Sequence, residues 1–508
     1  MKRIIALIAL IALLAPSATF AQGTGGGPGE AVMKWLRENM GMEMGSVTIN
    51  DTSYSKVVLS PEVRIGRLKM GFYLPVIYSK DLFNPSSWYQ PGGNNEWDFG
   101  AQYWGTNTVA ALVDTASDIL LKVKYVEFGQ PLEDPFFIKV GNLHDLSIGH
   151  GLIMRAYRND TDFPSMRRIG VNTGYDFGRV GFELLANDLP SAELIGARIY
   201  VRPIEKSKFA VGLAGVADLA AAKNLAGTPY AAAVDNFMFI SPGIDLDMPI
   251  LKPNEILSLR AFADAALTVP YVKTSFASPN GTVNKGLQTA LVWDDGSPKN
   301  WGAAAGFMGN VLFIDWRLEY RYFTGIFRPA FYDSTYERSR STYVMDYIGY
   351  LDGSTDISTA PSVMGVYGEA GFALLKDKLF LKAGYMWPWN PSLGFTLSQD
   401  TDDELHAALV IKKGLIPVID VAGAIYYDKH GLVNSLKEGT FVFFDEKTAF
   451  AGEIEIPVPN TPNLAVGVIF KTVAKRNADG TLNYIVDGDP TSGVEMTPSF
   501  TIETRFRF

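Results

Sequence analysis

The sequence predicts an all-β fold, a transmembrane antiparallel up-and-down β-barrel of roughly 16–20 strands with a short N-terminal helical segment. Three observations predict it. Apolar and polar side chains alternate with a period of two over much of the chain. Short turns alternate with long polar connections. Past residue 22, no stretch is long and apolar enough to be a spanning helix, which needs ~20 residues.

The composition is compatible with that fold. Hydrophobic residues make up 47% of the 508 residues and aromatics 12%, with 49 glycines. A barrel with an apolar outer face and a polar lumen averages to such near-neutral values. The chain has no cysteine, which excludes a disulfide framework, a thiolate metal site and a lipid anchor of the cysteine-linked type. The net charge is −9, or −11 without Lys2 and Arg3, and argues against a nucleic-acid partner, since phosphate binding needs clustered positive charge.

Taken in chain order, residues 1–21 read as a signal peptide. Lys2 and Arg3 precede the unbroken apolar run Ile4–Ala15, and a cleavage site follows at Thr19-Phe20-Ala21. The run is too short for a membrane-anchoring helix. Export is therefore expected, with a mature chain starting near Gln22. Residues 22–45 divide into a flexible Gly-rich linker, Gly23–Gly29, and a short amphipathic helix, Glu30–Met44, with Val32, Trp35, Leu36 and Met40 at helical spacing. That helix is read as a cap over a hydrophobic rim, or as a plug entering the barrel. Residues 46–508 are assigned to the barrel.

Within it, Ile119, Leu121, Val123 and Tyr125 alternate with Asp118, Lys122 and Lys124. Ile195, Ala197, Ile199 and Val201 alternate with Arg198, Tyr200 and Arg202. The clearest strand is Val311–Phe323: Leu312, Ile314, Trp316, Leu318, Tyr320 and Tyr322 share one face, and Asp315, Arg317, Glu319 and Arg321 the other. Leu464, Val466, Val468 and Phe470 line a further strand. Such lengths suit strands of ~9–11 residues crossing a bilayer.

Short turns are expected at Gly178-Arg179, Pro203–Ser207, Gly309-Asn310, Leu375–Lys378 and Pro457–Asn463. Long connections are expected at Asn84–Trp104, Pro270–Lys299, Gly325–Pro361 and Asn390–Asp403. Membrane barrels have this asymmetry, with tight periplasmic turns and long external loops. Tyr73, Tyr78, Tyr320, Tyr322, Trp387, Trp389, Tyr426 and Tyr427 fall where strands should leave the membrane, the level amphipathic rings prefer.

In the last strand Phe500, Ile502, Phe506 and Phe508 face one way, and Glu503, Arg505 and Arg507 the other. A final alternating strand that closes on Phe resembles the bacterial outer-membrane β-barrel proteins, a porin-like class. The resemblance covers residues 45–508 at the level of architecture. It implies a Gram-negative outer-membrane location, outer-membrane lipids and lipopolysaccharide as surroundings, and recognition by the barrel-assembly machinery through Phe508. The oligomeric state is left open, a homo-oligomer included.

Closure leaves an interior wider than side chains alone fill. The residues assigned to it are Lys122, Lys124, Arg198, Arg202, Arg260, Asp264, Asp315, Arg317, Glu319, Arg321, Glu453, Glu455, Glu503, Arg505 and Arg507. Their mixed signs fit a solute-selecting pore or a salt-bridged lattice that fills the lumen. Gly141–Tyr157 breaks the alternation. His144, His150 and Arg155 there belong to an inward-folded constriction or to an irregular, bulged strand. Arg155, Arg158, Arg167 and Arg168 line an anion path, sit as solvated loop charges or contact lipopolysaccharide.

Four histidines, no G-x-S-x-G and no H-E-x-x-H give no assembled catalytic constellation, so an enzyme is not expected. Acidic runs such as Asp487–Asp489 lack EF-hand spacing, and no metal or other cofactor is expected. The leading expectation is porin-like passive diffusion of small hydrophilic solutes. The alternatives are fatty-acid-transporter-like uptake of hydrophobic compounds and a plugged structural or surface barrel. TonB-dependent receptors carry a long plug domain ahead of the barrel, which strands starting near residue 45 leave no room for.

Overall fold

A computed structural model describes residues 40–507, except 92–94, 132–133, 205–207, 252–256, 295, 358–359, 361, 377, 395–402, 416–419, 438–441 and 462. The signal peptide, the linker, most of Glu30–Met44 and Phe508 lie outside the described residues.

Twenty antiparallel strands form one sheet. They begin with β1 (Met40–Ile49), β2 (Thr52–Ile65), β3 (Leu68–Phe72, continued by Leu74–Tyr78), β4 (Val123–Phe128), β5 (Phe136–Gly141), β6 (Gly170–Asp176) and β7 (Val180–Ala186). Next come β8 (Leu194–Val201), β9 (Ala210–Asp218), β10 (Phe237–Leu251), β11 (Leu257–Leu267, continued by Val269–Val272), β12 (Trp301–Val311), β13 (Ile314–Thr324) and β14 (Val363–Leu374). The last are β15 (Leu379–Trp389), β16 (Glu404–Ile411), β17 (Ala422–His430), β18 (Thr448–Pro457), β19 (Leu464–Ala474) and β20 (Met496–Arg507). Each strand pairs with its chain neighbours, and β20 pairs back to β1 from Gly41↔Arg507 to Val47↔Thr501. Lipid offers no partner to a backbone N–H or C=O, so this closure removes the open edges a sheet cannot expose there.

The register carries one parity around the whole cylinder. Glu319 lies opposite Tyr367 and Gly306, Arg198 opposite Glu183 and Ala214, and Glu503 opposite Gly45 and Gly467. All of these face inward. The alternate residues Leu318, Ile199, Leu213, Ile425, Ile454 and Ile502 point outward and are exposed. Outward rings gather near the loop ends, where Trp301 meets Tyr322 at 5.6 Å and Tyr320 meets Trp389 at 6.3 Å. Tyr73 is instead buried, and Tyr426 lies on the inward parity beneath the Arg158 guanidinium.

The turns at one end are short. Leu312-Phe313 joins β12 to β13, three residues later than the Gly309-Asn310 turn the sequence suggests, with Leu312 at φ 56°. At the opposite end most connections are long, apart from residues 187–193 and Asn50-Asp51, where both residues take positive φ in a tight hairpin turn.

Two boundaries move. Met40–Met44 belongs to β1, so the expected helix does not reach Met44. The strand expected across Asp118–Tyr125 starts only at Val123, because Thr108–Leu120 forms helix α1, capped by the Asn107 side chain accepting from Ala110 N. Ala111, Thr115 and Asp118 recur at helical spacing and face the loop beneath, where Thr115 Oγ1 donates to Phe99 O. Alternation across Asp118–Tyr125 was thus a coincidence of a helix end with a strand start.

The packed core sits inside the cylinder, toward the loop end. The connection between β5 and β6, residues 142–169, folds inward and lays Leu146, Ile148, Leu152, Ile153, Met154 and Tyr157 against inward-facing Leu185, Val216, Phe239 and Ala304. The connection from β13 to β14 does the same through helix α2 (Tyr336–Leu351), burying Tyr336, Val344, Tyr347 and Ile348 in the same cluster. Backbone bonds join the two connections: Tyr332 N donates to Ile153 O and Arg155 N to Tyr332 O.

Because Leu318 sits midway along β13 on the outer face, Leu318→Arg is expected to destabilise the membrane-inserted barrel by about 2–4 kcal/mol. Reversible guanidinium unfolding in lipid vesicles measures it.

Candidate functional site

The lumen has three levels. On the short-turn side it is a polar vestibule. One cavity of about 380 Å³ is lined by Arg260, Met308, Asp315, Arg317, Glu369 and Lys382. A second, of about 440 Å³, is lined by Asp176, Glu183, Arg198, Tyr200, Arg202 and Asp247, and shares Pro249 and Arg260 with the first. These charges are paired across strands: Arg198 with Asp245 at 2.6 Å, Arg202 with Asp176 at 2.8 Å, Arg260 with Asp247 at 3.1 Å.

The vestibule ends on the inward-folded connection. Gly149 and Gly151, at φ +59° and +94°, let the chain reverse around His150, whose ring bridges Asp264 at 2.8 Å and Asp247 at 3.2 Å. Arg317 Nη2 donates to His150 O at 2.6 Å. Glu319 takes Arg317, Arg321 and Arg155 together, and Arg155 also reaches Glu369 at 3.0 Å. Arg155 and Arg321 lie over the Tyr367 ring at 4.0 and 4.4 Å. The chain of pairs runs on from Arg321 to Glu404 at 3.0 Å, then through His406 to Asp428 at 2.9 Å.

Above this level lies the packed core, with buried charges at its margins. Asp162 holds both Arg338, at 2.9 Å, and Arg476, at 2.6 Å. Arg340 reaches Asp218 at 2.6 Å, Glu193 at 2.9 Å and Glu337 at 3.3 Å, and Glu337 also receives Arg168 at 3.0 Å. Burial alone would raise the Asp162 carboxyl, but the two guanidiniums outweigh it and hold it at about 2.

Most of the sequence-assigned lumen residues lie on the inward parity: Arg198, Arg202, Arg260, Asp264, Asp315, Arg317, Glu319, Arg321, Glu453, Glu455, Glu503, Arg505 and Arg507. Glu453, Glu455, Glu503, Arg505 and Arg507 form a separate ladder on β18 and β20, where Arg505 meets Glu453 at 2.6 Å and Glu455 at 3.0 Å. Two assignments are corrected. Lys122 precedes β4 and is buried beneath α1, its Nζ donating to Glu96 O at 2.8 Å and lying 4.0 Å from the Trp97 ring centroid. Lys124 is exposed on the outward parity, since Tyr125 and Glu127 take the inward one opposite Gly71 and Lys69. His144 remains exposed beside Asp160 at 3.2 Å, apart from the His150 cluster.

The sequence reading missed α2, Asp162 and Asp218. A run from Tyr336 to Leu351 with only Gly349 as a helix breaker was the available signal for the helix. Among the described residues, Asp98, Asp114 and Asp118 bring three carboxylates together, but the Phe99 and Gly100 amides already donate to them.

This closed, outwardly apolar cylinder is the architecture of the bacterial outer-membrane β-barrel proteins, the class that the sequence resembles. No family model matches the sequence, and no curated relative does. Solved structures similar to it include OccAB1 of Acinetobacter baumannii, at 9% identity and TM-score 0.29, covering 92% of this chain and 95% of that one. The ferric-catecholate import receptor Fiu of Escherichia coli, in its open form, is 8% identical with TM-score 0.36, covering 93% and 81%. Wzi of Escherichia coli, described as a carbohydrate-binding β-barrel involved in capsule assembly, is 8% identical with TM-score 0.32, covering 94% and 86%. At such scores none of these carries an argument about what this barrel binds or passes.

Asp162→Ala leaves two buried guanidiniums without their shared carboxylate and is expected to cost about 3–5 kcal/mol. Because its folded pKa is depressed, Asp162 stabilises the fold above the ordinary carboxylate value near ~4 and loses that contribution as pH falls toward about 2. Unfolding followed from pH 7 to pH 2 should therefore show a shallower acid loss in Asp162→Asn than in the wild type.

Proposed function

We propose that this protein is an outer-membrane channel for small hydrophilic solutes, narrowed at one level by its own inward-folded connection. The observation that carries this reading is the junction at His150 and Arg155. On one side lies a charged vestibule open toward the short turns, and on the other a packed core. In this reading residues 1–21 direct export, Phe508 serves barrel assembly, and no step of chemistry is asked of the chain. Uptake of hydrophobic compounds has less support, because the vestibule is walled by Arg, Lys, Asp and Glu.

The depth of the internal core favours a second reading, a plugged structural or surface barrel. Rings and aliphatic side chains from two connections fill the lumen there, and apolar packing of that kind excludes water as the interior of a soluble domain does.

Planar-bilayer recording separates the two. The channel reading expects small, discrete conductance steps from the purified wild type. It expects a several-fold larger step from Arg155→Ala, which frees the connection from Glu319 and Glu369. Replacement of residues 145–157 by a short Gly/Ser link should enlarge the step further. Silence from the wild type and Arg155→Ala, with current only after the replacement, would leave the plugged barrel standing.

A further inference from the structure

Helix α1 is amphipathic in an inverted sense. Its polar residues Asp114, Thr115 and Asp118 turn toward the loop beneath. Its opposite face exposes Val109 at 72%, Leu112 at 56%, Val113 at 58% and Ile119 at 48%. Those positions, with Ala116 between them, recur at helical spacing and carry no charge. A helix standing in water would present the other side. Trp104, just ahead of the helix, is half exposed as well.

The position of α1 says what covers this face. Strand β4 begins opposite Phe72, so the far half of β3, Leu74–Tyr78, has no β4 residue beside it. Other groups of the same connection take its backbone positions. Tyr73 N donates to Lys122 O, Trp97 Nε1 to Pro75 O at 2.8 Å, and Tyr89 N to Ile77 O. Helix α1 belongs to the same connection and runs directly into β4 through Leu121 and Lys122. Ser117 and Leu121 look toward the interior, bordering a cavity with Arg167 and Glu193. The Val109, Leu112, Val113 and Ile119 face is the exposed one, turned from the side that buries Ala111 and Asp118.

We propose that α1 is a membrane-interface anchor. It lies at the outer boundary of the bilayer with this face against the acyl chains of outer-leaflet lipids. Thirteen residues give a helix of about 20 Å, lying across the boundary rather than through it. Trp104 takes the level that amphipathic rings prefer. Lys124, outward on β4 just past the helix, keeps its stem in the apolar layer and carries its ammonium up to lipid phosphate. A second copy of the chain fits less well. One helix face of this kind offers on the order of a few hundred Å², against ~800 Å² per partner in a standard protein interface.

The absence of native cysteine makes the test direct. Leu112→Cys and, independently, Val109→Cys are labelled with an environment-sensitive fluorophore in the full-length protein and reconstituted in vesicles. Leu318→Cys serves as the lipid-facing reference and Ala478→Cys, exposed in the loop between β19 and β20, as the aqueous one. The expected result is at least two-fold quenching of the 112 and 109 labels by lipids brominated on the upper acyl chain, approaching that at 318, with little quenching by aqueous iodide. Iodide quenching equal to that at 478, without lipid quenching, overturns the proposal. So does protection from both quenchers together with a dimeric mass in detergent, which assigns the face to a second copy.

Discussion

Everything in this molecule depends on the hydrogen-bonded closure of β20 onto β1. In hydrocarbon an unpaired backbone amide or carbonyl has no water to turn to, so an open sheet of this size cannot span a membrane. An antiparallel ring with chain-neighbour pairing closes in register only with an even number of strands, and the pairs from Gly41↔Arg507 to Val47↔Thr501 meet that condition. Once the ring is closed, side-chain direction is no longer a local matter. The register that sets Glu503 inward fixes Arg505, then Glu455, His406, Glu369 and Glu319 around the wall by pairing alone.

Closure creates the second problem, an interior that inward side chains cannot fill. The chain fills the loop end with its own connections, and their chemistry follows from where they go. Against the apolar inner wall near Val216, Phe239 and Ala304 they present rings and aliphatic groups. Where they meet charged wall positions they bring counter-charges: Arg155 for Glu319 and Glu369, His150 for Asp247 and Asp264, Arg340 for Asp218. A buried charge without a partner costs several kcal/mol, on the order of 3–5, so wall and filling have to match in sign site by site.

The wall was legible in the sequence and the filling was not. Arg317, Glu319 and Arg321 declare their side of β13 because a two-residue period is visible within one strand, whatever the rest of the chain does. The same logic located the inward ladder of Glu453, Glu455, Glu503 and Arg505. It failed at Lys122 and Lys124, where α1 ends and β4 begins within three residues, so no period lasts long enough to read. For Asp162, Asp218 and α2 the difficulty is different in kind. Their partners Arg338, Arg476 and Arg340 are more than a hundred residues away in sequence. Nothing local marks a loop Asp as destined for two guanidiniums. His150 was intermediate: the flanking glycines marked an unusual segment, but not the wall residues it would touch.

Most wall charges touched by the proposed constriction keep other partners, and the buried Asp264, held by His150 at 2.8 Å, is the exception. Glu319 is held by Arg317 and Arg321 from its own strand as well as by Arg155 from the connection. Glu369 keeps Lys382 at 3.2 Å and the Tyr367 hydroxyl at 2.8 Å when Arg155 is discounted. Asp247 keeps Arg260 at 3.1 Å without His150. Withdrawal of residues 149–155 would therefore leave these three carboxylates compensated, and Arg155 would pass to the water that follows it into the lumen. The contacts above are not shared in this way, since Asp162 is a common anchor for Arg338 and Arg476 across two connections. Motion of the Arg155 side chain thus costs less electrostatically than withdrawal of His150, which would uncover Asp264, or expulsion of the whole core. A conducting state should accordingly preserve α2, the Asp162 cluster and the His150–Asp264 pair and rearrange the stretch around Arg155.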